Sequence, residues 1–178
     1  MDALEVIRTR RSVRQFQSGH KLLSEEQLNI ILEAGMLAPS AGNQQPWHFI
    51  VVKDRELLQG IPTVHPYAKM CNEASLALIV CGDHTKEKHK GFWVQDCSAA
   101  TQNILLAIRA LGLGAVWVGV FPREERVSQL KTFLNIPTHL TPLCIIPIGY
   151  PTLEQQKIER FDLRCVSFDN ELGAHQNL

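Results

Sequence analysis

Apolar residues recur every three or four positions in several stretches of the chain, the spacing of one face of a helix. Residues 2–10 form the first of these stretches. A second helix is predicted to begin at Ser24, because Ser24 and Gln27 stand at the spacing of a capping box, in which each side chain binds the other residue's backbone N–H. The buried stripe of this helix is expected to comprise Leu28, Ile31, Leu32 and Gly35.

Two further helices are predicted in the second half of the chain. The longest helical pattern runs from about residue 92 to residue 111, and the two glycines that follow supply its end. The last helix is predicted to open at Pro122, because proline is favoured in a first turn and two glutamates follow closely. We expect it to end near Asn135.

Four shorter runs, bounded by turn-forming residues, predict β-strands. They are residues 48–53, 75–81, 115–120 and 143–148. The run at 75–81 is apolar almost throughout, which is typical of a strand in the middle of a sheet. Strands interleaved with long helices predict a layered domain of the α/β or α+β class. After residue 150 the chain becomes polar and irregular, apart from an alternating piece at residues 164–168.

The composition favours one globular domain with a neutral surface. The chain has 178 residues, with 18 lysines and arginines against 18 aspartates and glutamates. This balance argues against a general nucleic-acid binder, which needs a large positive surplus. The longest apolar run is far shorter than a membrane span. Five scattered cysteines, an odd number without paired spacing, predict reduced thiols and a cytoplasmic location.

The first segment with candidate chemistry follows the first helix and is strongly basic. Arg10, Arg11 and Arg14, together with the Ser12 hydroxyl, could surround a phosphate, which arginine binds through two hydrogen bonds. The alternative is a solvated basic face that compensates the helix dipole.

The second segment, residues 38–49, lies between the capped helix and the first predicted strand. Ser40, Asn43 and Gln45 offer groups that could hydrogen-bond a polar ring system. The same residues are also good turn formers, so a plain connecting turn is the alternative.

Taken together, the two segments resemble the nitroreductase family of FMN proteins. The matching pieces are RRSVRQF at 10–16 and APSAGNQQPWHF at 38–49, then Asp96 and Asn103. They continue with LGLGAVWVGVFP at 111–122, PIGYP at 147–151 and RFDLR at 160–164. The pieces follow the family's order and cover nearly the whole chain.

The resemblance implies a set of FMN-binding residues with distinct roles. The phosphate and ribityl chain would be contacted by Arg10, Ser12 and Arg14, with Arg11 placed by the turn and Arg160 returning to the phosphate. A segment of the other subunit would lie against the flavin through Pro39, Ser40, Asn43 and Gln45. Backbone around Val118, Gly119 and Val120 would face the pyrimidine edge of the ring.

The resemblance also implies a fold and an assembly. We expect an α+β protein, a three-layer α/β/α sandwich with a mixed sheet of four strands. A fifth strand, at residues 164–168, would be donated by the partner in a homodimer that carries both FMN molecules at its interface. Residues 1–150 would then be the FMN-binding domain, and residues 151–178 an extension that wraps the partner subunit.

The expected activity is transfer of hydride from NADH or NADPH to nitroaromatic, quinone or similar flat acceptors by a ping-pong mechanism. No side chain is expected to be catalytic, because the flavin itself carries the hydride. Two alternatives stay open: a dehalogenating or flavin-fragmenting enzyme on the same scaffold, or a flavin-binding protein without turnover. The short chain leaves little material for a helical lid over the flavin, so the acceptor pocket should be open.

Other chemistries are disfavoured by spacing. The glycine pair at 112 and 114 follows a helix and precedes a strand, the reverse of a dinucleotide-binding turn. His84 and His89 lie in a lysine-rich stretch without a recognised ligand spacing, so no metal site is predicted.

Overall fold

The computed structural model describes residues 2–19, 21–154 and 156–168, and these form an α+β fold. Within the described residues there are five α-helices: α1 (Ala3–Thr9), α2 (Glu25–Met36), α3 (Arg55–Val64), α4 (Trp93–Ala110) and α5 (Glu124–Leu134). The strands are β1 (Trp47–Val52), β2 (Leu76–Asp83), β3 (Gly114–Ala115), β4 (Val118–Gly119) and β5 (Leu140–Gly149).

The sheet has the order β1-β2-β5-β3, and β4 also pairs with β5. Every pair of these strands is antiparallel. The expected mixed sheet of four strands is therefore corrected to a sheet of five antiparallel strands. Outside these strands, Ser12 forms a single parallel bridge to Ala115 of β3. The predicted strand at 115–120 is interrupted, because β3 and β4 pair with separate stretches of β5 and leave Val116 and Trp117 between them.

Successive residues of β2 face two different helical layers, which confirms the three-layer arrangement. Leu76, Leu78 and Val80 pack in a cluster with residues of α2 and α4. Ala77, Ile79 and Cys81 pack in a second cluster with residues of α3 and α5. All eight residues of β2 are buried, as the uniformly apolar sequence predicts for a central strand.

Local signals place several helix ends correctly. The Ser24 hydroxyl accepts the Gln27 N–H at 3.1 Å, and the Gln27 side chain accepts the Ser24 N–H at 3.0 Å, so the capping box is formed. Asn135 ends α5 with a left-handed φ of 52°, a conformation that asparagine adopts more readily than most residues. The predicted start of α5 at Pro122 was wrong. The Arg123 N–H donates to Val120 O, so Pro122 lies in a turn and the helix begins at Glu124.

Helix α3 was not predicted from the sequence. The carboxylate of Asp54, which marks the end of β1, also caps α3 by accepting the Leu57 N–H at 3.0 Å. Leu58 and Ile61 then bury its inner face. Pro62 lies in the last turn of the helix.

The segment after β5 runs along the surface. Its beginning is attached by a bridge between Phe16 and Pro151, while Leu153, Phe161 and Leu163 remain largely exposed. Leu163–Cys165 form a 3-10 turn, so the predicted strand at 164–168 is not formed within the single chain. Its donation to a partner stays a prediction, and residues 169–178 of the predicted extension lie outside the described residues. No helix in the described ranges combines the length and apolar character needed to cross a membrane.

Candidate functional site

Three arginines from opposite ends of the chain, Arg10, Arg11 and Arg160, lie close enough to interact electrostatically. Arg10 follows α1 and is partly buried. Burial, then the positive charges of Arg11 and Arg160, lower the pKa of Arg10 below its ordinary value. Within the described residues, the ion pairs that form join neither Arg10 nor Arg160 to a carboxylate. The cluster therefore carries positive charge that an anion would stabilise.

Arg11 is directed back towards its own helix. Its guanidinium donates to the carbonyl oxygens of Arg10 at 2.5 Å and Arg8 at 2.8 Å. These contacts satisfy carbonyl groups at the end of α1. Its side chain consequently stabilises the turn that presents Arg10 and Ser12.

Two open cavities adjoin this turn and share Arg14. The first, the tail cavity, has a volume of about 650 Å³. It lies between residues 11–15 and the tail residues 152–154 and 156–158. The second, the strand cavity, has a volume of about 480 Å³ and reaches residues 116–119. Because Arg14 lines both, a single elongated ligand could occupy the two cavities together.

The strand cavity is positively charged. Arg14, Lys69 and Arg126 line it, and its lining includes no carboxylate. The Arg126 guanidinium also lies 5.1 Å from the centre of the Tyr67 ring, within the range of a cation–π contact. Neither Lys69 nor Arg126 was predicted from the sequence, since each stands alone in a segment without a recognisable motif.

Of the three residues predicted to face a ring at β4, only Gly119 is exposed. Val118 and Val120 are buried, and the Val120 N–H donates to Leu143 O at 2.9 Å. A Cβ added at Gly119 would meet no atom within 4 Å, so this position opens to the cavity.

The backbone at Gly119 is held by a buried histidine that also lines the strand cavity. Its carbonyl lies 2.9 Å from His65 Nε2, and because a carbonyl only accepts, Nε2 is the donor. His65 is only 1% exposed, and its Nδ1 has no hydrogen-bond partner among the described residues. This residue, which the sequence reading missed, positions β4.

The segment at 39–45 is a compact loop in which unusual backbone angles are stabilised locally. Asn43 and Gln45 have left-handed φ values of 53° and 48°. The Gln45 N–H donates to Ser40 Oγ at 3.0 Å, and the Gln45 side chain donates to Asn43 Oδ1 at 3.2 Å. Pro39 is exposed beside them. None of these residues lines the tail cavity or the strand cavity of its own chain.

Comparison with known proteins assigns the family. The model of the nitroreductase family matches residues 7–74 and 63–150. A relative from Methanothermobacter thermautotrophicus, named "Putative NADH dehydrogenase/NAD(P)H nitroreductase", is 52% identical over 162 residues, covering 91% of this chain and 84% of its own. The chain belongs to the nitroreductase family and is therefore an oxidoreductase.

Solved structures agree on the fold. An FMN-dependent nitroreductase from Clostridium difficile superposes with a TM-score of 0.84 at 30% identity, covering 94% of this chain and 99% of its own. A Desulfovibrio desulfuricans structure, described as a "putative nitroreductase in complex with fmn", gives 0.81 at 30% identity, with coverages of 95% and 97%.

Proposed function

We propose that this chain binds FMN and transfers hydride from NADH or NADPH to flat acceptors such as nitroaromatic compounds and quinones. The observation that carries the proposal is the proximity of Arg10 and Arg160, 150 positions apart, in chain segments whose neighbouring residues, 11–15 and 156–158, line the tail cavity. The tail cavity shares Arg14 with the strand cavity. FMN has a terminal phosphate at one end and a flat ring at the other, which matches a cationic cluster continuing into an elongated space.

The residues present fit FMN. Arg10, Arg14 and Arg160 would hold the phosphate, with the exposed Ser12 as a further hydrogen-bonding group. Gly119 would lie against the ring, because a side chain is missing just where the strand cavity needs to stay open. Pro39, Ser40, Asn43 and Gln45 do not reach these cavities within one chain, so we assign them to the FMN of a partner subunit.

FMN, when bound, supplies the chemistry of accepting and returning a hydride. The protein residues supply position and charge. Lys69 and Arg14 place positive charge in the strand cavity, which favours a reaction that builds up negative charge there. His65 is buried and donates its Nε2 proton to Gly119 O, so it orients the backbone at the strand cavity.

A homodimer completes the proposed site. The exposed apolar side chains of the tail, among them Phe161 and Phe168, need a surface that the single chain does not provide. We propose that residues 151–178 wrap the partner, and that the 39–45 loop reaches the partner's FMN. The five cysteines are all free thiols, which supports our proposal of a reducing, cytoplasmic location.

The proposal is tested by FMN binding and turnover. The wild-type protein should purify with FMN and oxidise NADH or NADPH in the presence of a quinone or a nitroaromatic compound. Arg14→Ala should weaken FMN binding by roughly tenfold or more, because a hydrogen bond to a charged group contributes about 1.5–3 kcal/mol. Arg123→Ala is the matched control, since Arg123 is exposed and lines neither cavity. Unchanged affinity in Arg14→Ala would contradict the assignment.

The kinetic pattern tests the use of one open site. Nicotinamide and acceptor must enter the same space, so each should exclude the other. Initial rates at several acceptor concentrations should give parallel double-reciprocal lines, the pattern of two alternating half-reactions. Intersecting lines would show that both substrates bind together and would rule out this order.

A further inference from the structure

A buried carboxylate outside both cavities holds the 39–45 loop. Asp96, in the first turn of α4, is only 4% exposed. Its Oδ1 accepts the Ala41 N–H at 2.9 Å, and its Oδ2 accepts the Gln44 side-chain amide at 2.7 Å. Both oxygens therefore act as acceptors towards the loop, as an ionised carboxylate does.

The second residue of this network is Gln44, which is 5% exposed. Its Oε1 accepts two backbone N–H groups, from Lys88 at 2.8 Å and His89 at 2.9 Å. Because those two groups can only donate, the amide can have one orientation, with its NH₂ towards Asp96. Helix α4, the 39–45 loop and residues 88–89 are thus joined by four hydrogen bonds of fixed direction.

The loop conformation depends on such support. Gly42, Asn43 and Gln45 all have φ between 48° and 53°, a region that non-glycine residues rarely adopt. At Gly42 a Cβ would come within 2.3 Å of the His89 ring, so the backbone of the loop packs closely against the segment that Gln44 attaches.

We propose that Asp96, acting through Gln44, is a positioning residue that holds the 39–45 loop in the shape that contacts FMN in the partner subunit. The proposal rests on the FMN-binding homodimer proposed above. Asp96 touches neither cavity, so its effect on FMN is transmitted through the loop and appears in the other subunit's site.

The first experiment exchanges the polarity of the hydrogen bond between the two side chains. Asp96→Asn places an amide NH₂ opposite another donor, either the Ala41 N–H or the Gln44 amide. Gln44→Glu places a second carboxylate opposite that of Asp96. Each should weaken FMN binding by about tenfold, the size of one hydrogen bond to a charged group. The double variant Asp96→Asn/Gln44→Glu pairs every donor with an acceptor again. It should recover an affinity within about twofold of wild type.

The second experiment asks in which subunit the effect appears. Chains carrying Arg10→Ala/Arg14→Ala are paired with chains carrying Asp96→Asn in a purified heterodimer, and tightly bound FMN is counted by equilibrium dialysis. If Asp96 acts on the partner's site, both defects fall in one site, and one FMN per heterodimer binds tightly. If it acts on its own chain's site, each site has one defect, and none binds tightly.

The matched control places all three substitutions in one chain and pairs it with a wild-type chain. The expectations are then reversed: no tight FMN if Asp96 acts on the partner, and one if it acts on its own chain. If Asp96→Asn prevents folding, Gln44→Glu replaces it in both pairings with the same expectations.

The outcomes separate this proposal from the one on which it rests. A wild-type protein that binds no FMN, or that forms no dimer, would overturn the proposed function. Two FMN molecules in the wild-type dimer, with wild-type affinity in Asp96→Asn or no recovery in the double variant, would overturn only the role of Asp96. So would the heterodimer pattern expected for action within one chain.

Discussion

Strands β2 and β5 and the tail at 151–168 both contain large apolar side chains, but the two regions bury them very differently. All eight residues of β2 are buried, as are nine of the ten in β5. In the tail, Leu153 is 73% exposed and Phe161 is 83% exposed. Most apolar residues of the two strands pack in clusters with helices of the same chain, whereas Leu153 and Phe161 belong to neither cluster. The chain therefore buries the apolar residues of its sheet by itself, whereas those of its tail remain exposed to solvent.

The cysteines differ between the two regions in the same way, because four thiols lie in the core and one lies in the tail. Burial raises the pKa of Cys71, Cys81, Cys97 and Cys144 from 9.0 to about 12. Cys165 is exposed. The unfolded chain releases these protons at lower pH than the folded chain. The part of the unfolding free energy linked to the four core thiols is therefore fully present below pH 9 and is lost as pH rises towards 12.

Alkaline unfolding should therefore show the largest effect. Each core thiol contributes a slope of about 1.4 kcal/mol per pH unit to the loss of unfolding free energy in this window. Urea titrations at several pH values would measure the slope. Cys97→Ala should reduce the slope by one thiol's share, and Cys165→Ala should leave it unchanged. Equal effects of the two variants would break the comparison.

A cavity in the central strand should have the next largest effect. Ile145 in β5 is fully buried, so Ile145→Ala should lower the unfolding free energy by about 2–5 kcal/mol. Denaturant unfolding monitored by circular dichroism would measure it. A loss below 1 kcal/mol, the range of ordinary surface changes, would argue that β5 is not the packed centre of the sheet.

The matched change in the tail should have the smallest effect on the fold. Phe161→Ala removes more apolar surface than Ile145→Ala, but from an exposed position. The unfolding free energy of the monomer should change by less than about 0.5 kcal/mol. Self-association should weaken measurably in sedimentation, because the tail is proposed to pack on the partner. A tail substitution that leaves association unaltered would show that Phe161 does not contact the partner.

The sequence predicts most of the fold where one local signal dominates. The helix predicted at 92–111 is α4 with its two flanking residues, and the apolar run at 75–81 lies within one residue of β2 at its start. Helix α3 was missed because Gly60 and Pro62 normally interrupt helices. They are tolerated here: a Cβ at Gly60 would clash with Phe133 of α5, and Pro62 lies in the last turn.

The site is less accessible to sequence reasoning, because its groups are assembled from distant segments. The proximity of Arg10 and Arg160 was expected only from the family resemblance, and no spacing within the chain indicates it. The orientation of Gln44 depends on backbone groups 44 and 45 residues further along. A contact of that kind is determined by packing of the whole domain, so no local sequence pattern indicates the role of Gln44 within the 38–49 segment or that of His65.

The antiparallel ladder between β2 and β5 has a consequence for hydrogen exchange. Its residues are buried under helices on both faces, so solvent reaches these amides only when the layers separate. The slowest-exchanging amide protons of the chain should therefore lie in this ladder, and their exchange should report the opening of the whole domain. Exchange in the exposed tail would report local motion alone. The two strands thus provide a built-in reference against which the opening of any other segment can be measured.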